Sequence, residues 1–375
     1  MSLMLPAIPS SARSITGVAQ DLVDALSGRS DGLGAVRSAV LVVIDGLGAA
    51  QLRAHAGHAR RLSAAMGKKD VASSVFPSTT AAALTSMLTG ADPGEHGLVG
   101  YRVRDPESGR LVNQLSGWEE ARVDPLRWQP VPTLFERGAE QGRPVFAVGL
   151  AEYAGSGFSA ATLRGAAFHA ERSAADRVAR AVALAAENDG SLVYCYLPEV
   201  DKAGHKHGVA SAEWVAALED LDAALAGPFP DDVGILVTAD HGMVDVPRHR
   251  HLVVEENDPM QRGVAAIAGE PRMLHVYLED PGDAALVRAA WAAGTEGAAD
   301  VVGKDEAIRA GLYGPSVTDD AAARMGDLLV IARGLWALYD GAAGDPRAQD
   351  MVGQHGSLTP EELRVPWIRL GAFAR

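Results

Sequence analysis

Four short apolar runs constrain this chain most: "SAVLVVIDG" (38–46), "RPVFAVGL" (143–150), "SLVYCYL" (191–197) and "VGILVTAD" (233–240). A strand with one wet face alternates apolar and polar residues, whereas a strand covered on both faces stays apolar throughout. Helical patterns at 132–141, 174–187 and 211–226 lie between the runs. In the last of these, Trp214, Leu218, Leu221 and Leu225 share one face, which is core packing. Covered strands alternating with helices predict an α/β fold whose mostly parallel sheet is sandwiched by helices.

The pattern changes between about 246 and 344. There "RMLHVYLE" and "DLLVIA" read as strands, with helical patterns at 284–293 and 305–310 between them. This predicts a small α+β insertion, after which "VGQHGSLTPEELRVPWI" (352–368) carries the chain back. No internal repeat or long linker interrupts the sequence, so residues 1–375 read as one domain with a subdomain inserted at about 246–344. Hydrophobic residues at 47% and charged residues at 22% suit a globular protein. A net charge of −14 argues against an extended duplex nucleic-acid footprint, which needs clustered Lys and Arg. An acidic chain still binds phosphate where metal cations sit in the pocket. The single Cys195 excludes an internal disulfide and reads as a small core residue. The first thirty residues lack a charged start followed by an apolar run, and no stretch reaches the ~18 apolar residues of a membrane span, so the expected location is the cytoplasm.

In an open α/β sheet, ligands bind beyond the carboxyl ends of the strands. Asp45 closes the first run, Asp240 closes "ILVTAD", and Asp201 follows "LPEV". His205 stands four residues after Asp201, His241 follows Asp240 at once, and His355 sits in a glycine setting near the C-terminus. Singly, each has a plain reading. Asp45 before Gly46 suits a turn, "ADHG" suits a turn, and "DKAGHKHG" suits a polar loop with His205 and His207 solvated. Together they are the carboxylates and imidazoles that zinc-type metals prefer. Six such groups exceed one tetrahedral site but suit two open sites of three, and two metals ~3.5–4 Å apart clamp both oxygens of an in-line displacement.

The stretch "FPSTTAAALTSMLTG" sets Thr79 and Thr80 at a helix start. Ser78, Thr79 or Thr80 suits the N-cap. A neighbouring threonine at the positive helix end suits a nucleophile.

These segments together resemble the alkaline phosphatase superfamily, and within it the type I phosphodiesterase/nucleotide pyrophosphatase family. The resemblance runs through "VVIDGLG", "FPSTTAAALTSMLTGADPGEHGLVG", "YLPEVDKAGHKHG", "TADHGM" and "GQHG", in that order. It implies two Zn2+ ions, with other divalent metals such as Mn2+ as substitutes. Asp201, His205 and His355 match the ligands of one ion; Asp45, Asp240 and His241 match those of the other. It implies a threonine nucleophile ten residues before Gly90, which is Thr80 rather than Thr79, in contact with the second metal. The activity implied is hydrolysis of a small phosphoester or nucleotide through a phosphothreonine, most closely as a phosphodiesterase. A phosphomonoesterase and a phosphonoacetate-type hydrolase share the scaffold, and a metal-binding module without turnover is the non-enzymatic alternative. The family's asparagine after "HG" aligns with Tyr101 here. Arg102, Arg104 and Lys202 are candidate contacts for a negative group, and Tyr101, Tyr153 or Phe158 for an aromatic slot.

Overall fold

In the computed structural model, residues 13–29, 32–342 and 346–374 are described. The expected end of the insertion at 344 falls outside them, as does most of the N-terminal stretch searched for a leader. The four apolar runs all become strands of one sheet. They are β1 (Ser38–Ile44), β2 (Val145–Gly149), and, after the short edge strand β3 (Ala167–Ala170), β4 (Leu192–Leu197) and β5 (Val233–Thr238). All pair in parallel, and every residue of β1 and β5 is buried. Cys195 lies opposite Val42 in the β1–β4 register, and burial pushes its thiol up to about 12. A thiol held that high is inert packing.

A second, antiparallel sheet follows in the chain: β6 (Val264–Glu270), β7 (Met273–Leu278), β8 (Ala299–Gly303) and β9 (Leu328–Ala332), in the order β6-β7-β9-β8. The chain then returns as β10 (Ile368–Gly371), which pairs antiparallel with β5. The main sheet is therefore six-stranded, in the order β10-β5-β1-β4-β2-β3.

The helices that matter for the site are α1 (Thr80–Thr89), α2 (Ala174–Glu187), α3 (Glu199–His207), α4 (Ala212–Ala224) and α5 (Ala284–Gly294). Ser173 and Ser211 cap α2 and α4, each accepting a bond from a backbone N–H three residues on. Trp214, Leu218 and Leu221 of α4 are fully buried, as their shared face requires. Each contributes on the order of 1.5–3 kcal/mol relative to exposure. α3 is a difference from the loop reading of "DKAGHKHG". The helix runs to His207 and closes at Gly208, whose N–H donates to Gly204 O, so Asp201 and His205 stand one helical turn apart on one face. On the second sheet, Val287 and Trp291 of α5 pack into a core with Val276, Val301 and Val330. A further cluster packs the second sheet against the start of α1. In it Phe76 and Ala81, which flank the threonine pair, pack with Met273, Tyr313 and Leu329, and the Phe76 and Tyr313 rings meet edge-on at 5.4 Å. The start of α1 is thus clamped from both sides.

Candidate active site

Asp45 follows β1 directly and Asp240 lies two residues past β5, its neighbour in the sheet. Gly46 adopts φ 73°, and a Cβ there would lie 3.0 Å from the Asp201 side chain. Glycine is needed for the turn and for the approach of α3. Gly353 plays the same part on the other side. A Cβ there would lie 2.7 Å from the Gly204 carbonyl oxygen, so only glycine brings the His355 segment against α3.

These elements draw all six predicted groups together. Asp201 Oδ1 lies 3.4 Å from His205 Nε2 and 4.0 Å from His355 Nε2. His241 Nε2 lies 3.4 Å from both Asp45 Oδ1 and Asp240 Oδ2. Potential ligand atoms of Asp201, His205 and His355 fall within 4.8 Å of one another, and so do those of Asp45, Asp201 and His241. Asp201 therefore borders both halves of the cluster, which the sequence spacing does not reveal.

Each imidazole is oriented by a backbone carbonyl. Nδ1 of His205 donates to Gly353 O (2.8 Å), that of His241 to Gly242 O (3.1 Å), and that of His355 to Ser78 O (2.9 Å). A carbonyl only accepts, so Nδ1 carries a proton and Nε2 is the ring nitrogen turned inward. His205 Nε2 and His355 Nε2 stand 3.2 Å apart, and the His355 ring lies 3.6 Å from the His241 ring, nearly parallel. Burial, then His241 and His205, hold His355 well below the usual imidazole range, consistent with a neutral ring.

The carboxylates complete the argument. Asp45 Oδ1, Asp201 Oδ1 and Asp240 Oδ2 are buried without a hydrogen-bond partner. Burial first, then Asp240 and Asp201, raise the Asp45 carboxyl well above its ordinary value; burial raises Asp240 as well. Unpaired buried carboxylates are costly unless a cation compensates them. Three carboxylates and three inward ring nitrogens are hard and borderline donors of the kind zinc-type cations take, and this donor set fits divalent metal.

Thr79 occupies the N-cap position of α1 without a side-chain capping bond, and Thr80 is the first helical residue. Thr80 Oγ1 lies 3.1 Å from His241 Nε2, whereas Thr79 Oγ1 is buried without a partner. Both line a cavity of about 1050 Å³ that also takes in Asp45, Asp201, His205 and His355. Tyr101, Arg102 and Lys202 line it too, as do Tyr153 and Phe158. Lys202 Nζ is bound to Glu152 Oε1 at 3.0 Å, so its charge is already partly spent.

Two groups escape the sequence reading. Tyr196, inside an apolar strand run, donates its hydroxyl to Asp45 Oδ2. The signal is slight: a tyrosine two residues after Tyr194 shares its sheet face, and the rings lie 6.3 Å apart. Glu270, at the end of β6, lines the cavity with Oε1 unpartnered, and burial, then Glu362, pushes its carboxyl up. Nothing in its local sequence marks it.

A covered, mostly parallel sheet flanked by helices, with an acid–imidazole cluster at its carboxyl edge, is the α/β fold of alkaline-phosphatase-like structures. The chain belongs to the type I phosphodiesterase / nucleotide pyrophosphatase family, whose sequence profile matches residues 39–358. It is accordingly an enzyme of the phosphoester hydrolase class, and the family is metal-dependent. Human ectonucleotide pyrophosphatase / phosphodiesterase 5 is similar in structure, with a TM-score of 0.69 at 17% identity, covering 88% of this chain and 87% of that one. Its murine counterpart, solved as an inactive threonine-to-alanine variant with AMP, gives a TM-score of 0.67 at 18% identity over 90% and 88% of the two chains. Phosphonoacetate hydrolase from Sinorhizobium meliloti 1021, in complex with phosphonoformate, gives 0.67 at 24% identity over 90% and 91%. At these identities the likeness is one of fold. No curated protein matches the chain. Among the described residues no helix is long and apolar enough to cross a membrane.

Proposed function

We propose that the protein is a two-metal phosphodiesterase of the nucleotide pyrophosphatase type that works through a phosphothreonine at Thr80. One observation carries the reading: Thr80 Oγ1 lies 3.1 Å from His241 Nε2, at the start of α1 and at the edge of the convergent ligand cluster. In this reading Asp201, His205 and His355 hold one divalent ion, Asp45, Asp240 and His241 the other, with zinc the first choice. The bound ions would supply charge neutralisation at the phosphoryl oxygens and lower the pKa of the threonine hydroxyl.

Thr80 Oγ1 attacks phosphorus in line. The Oγ1–P bond forms, the P–O bond to the leaving group breaks, and the leaving oxygen departs opposite Thr80 and ends protonated. Water then attacks the phosphothreonine from the vacated side, the Oγ1–P bond breaks, and Thr80 regains its proton. The free N–H groups at the start of α1 stabilise the anion throughout. Tyr101, which aligns with the family's asparagine, and Arg102 both line the cavity and would hold a non-bridging oxygen. Residues 1–375 form one catalytic unit in this account, with the segment at about 246–344 as a subdomain that walls the cavity through β6. Its one cysteine, buried and unpaired, suits the reducing cytoplasm.

Acid quench during turnover of a diester, followed by mass analysis of peptides, tests the reading. A phosphoryl group on the peptide containing Thr80 is expected, with diester turned over faster than monoester or phosphonoacetate. Preference for phosphonoacetate would move the substrate assignment, and turnover with no phosphopeptide at any quench time would remove the covalent step.

A further inference from the structure

We propose that the buried Arg272–Glu362 ion pair is a positioning device for the reaction: reaching in from the second sheet, it braces the segments that carry His241, His355 and Thr80. The inference rests on the two-metal reading of the site and adds two residues that stand outside the ligand set.

Arg272 lies in the turn between β6 and β7, and Glu362 in the short helix Pro360–Leu363 that follows the His355 segment. Arg272 Nε donates to Glu362 Oε1 at 3.1 Å and Nη2 to Oε2 at 2.8 Å, the two-pronged form of this contact, while Nη1 donates to Trp336 O. Both side chains are fully buried. The carboxylate does more than neutralise the guanidinium. Oε1 also accepts from Ser357 N–H (3.0 Å), and Oε2 from Thr359 Oγ1 (2.6 Å). The Glu362 backbone carbonyl accepts from Gly242 N–H (2.8 Å). One residue thus grips the chain just past His355 and just past His241.

Each grip is passed on to the site. Gly242 O is the acceptor that orients His241. Ser357 O accepts from Ser78 Oγ (2.7 Å), Ser78 Oγ accepts from Gly356 N–H (3.2 Å), and Ser78 O is the acceptor that orients His355. Ser78 stands two residues before Thr80, so the same chain of bonds reaches the nucleophile segment. Ser357 Oγ closes the frame on Ala332 O at the end of β9 (2.6 Å). Stability alone is weak ground for such a pair, because apolar residues of like volume often replace a buried ion pair without loss. Here the carboxylate accepts four bonds, which fills its capacity, and it ties one imidazole of each half to the same anchor. Freeing these segments would let the ligands and Thr80 drift, and a shift of about 1 Å is enough to cost roughly 100-fold in rate.

The test compares Arg272→Met combined with Glu362→Leu, an apolar pair of similar size, with Val330→Ala, which opens a cavity in the core of the same sheet away from the brace. Zinc binding to the metal-free protein is read by calorimetry, and the His241 and His355 rings by nitrogen-15 NMR. The double variant is expected to fold, to bind zinc about 10–100-fold more weakly at both halves, and to lose the fixed Nδ1–H signals of the two rings. Its kcat on a diester should fall at least about tenfold, with KM within about twofold of wild type. Val330→Ala should lower the melting temperature yet keep wild-type zinc affinity and ring signals. Wild-type affinity and signals in the folded double variant overturn the proposal. Equal weakening of zinc by Val330→Ala overturns it too, since that marks a general loosening. If the double variant does not fold, Ser78→Ala decides. It cuts the link from Ser357 to the His355 segment and should weaken zinc about tenfold at that half; unchanged affinity rejects the brace. If the wild-type protein takes up no zinc, the two-metal reading fails instead. The rings then decide the brace separately: unaltered His355 signals in whichever of these two variants folds reject it.

Discussion

The two halves of the acid–imidazole cluster contrast in their surroundings. Asp45, Asp240 and His241 grow from the ends of adjacent central strands, and their side chains are 4%, 0% and 0% exposed. Asp201, His205 and His355 come from α3 and the returning C-terminal segment, and theirs are 13%, 20% and 10% exposed. The first trio has its geometry fixed by the sheet and touches Thr80. The second depends on two glycine-permitted contacts between segments far apart in the chain. In the proposed mechanism the rigid half positions the nucleophile, and the more open half meets the leaving group and solvent.

The largest expected effect falls on the nucleophile beside the rigid half. Thr80→Ala should lower turnover by at least about 10⁴-fold with bound metal unchanged, whereas Thr79→Ala should stay within a few-fold. Steady-state kinetics with elemental analysis reads both, and the reverse order would shift the nucleophile by one residue. Next come the imidazoles. His241→Ala should lose activity that added zinc does not restore, whereas His355→Ala, on the open side, should lose about 10–100-fold in metal affinity and recover in excess zinc. Equal rescue of both would erase the contrast. Chelation should then proceed in two phases, the open half first, and full removal should lower stability by about 4 kcal/mol relative to metal at a thousandfold its Kd. Calorimetry with and without chelator checks this, and an unchanged melting temperature would count against any bound cation. The smallest effect belongs to Tyr196→Phe, which removes one hydrogen bond to Asp45. It should cost on the order of tenfold in activity or metal affinity, with folding intact. No change at all would make the tyrosine mere packing.

Legibility in the sequence followed the same divide. The continuous runs of β1, β4 and β5 announce covered parallel strands, and aspartate at their ends is readable because it breaks an apolar pattern. The helix Ala174–Glu187 emerges with the bounds its periodicity predicts. By contrast β3, "AFHA", and β10, "IRLG", are edge strands too short and too polar to stand out, and their existence depends on neighbours in the sheet. α3 reads as a loop because Gly204 within it, Gly208 at its end and the five charged or polar side chains of "DKAGHKHG" hide its apolar pattern, which packing overrides. The carbonyls of Ser78, Gly242 and Gly353 that orient the imidazoles, and the reach of Glu270 into the cavity, are long-range facts without a local signature.

The most direct test is anomalous X-ray scattering from zinc-loaded crystals. The account predicts two strong zinc peaks per chain, one among Asp201, His205 and His355 and the other among Asp45, Asp240 and His241, the latter within bonding distance of Thr80 Oγ1. Peaks only elsewhere, or none at this cluster in fully active protein, would contradict it.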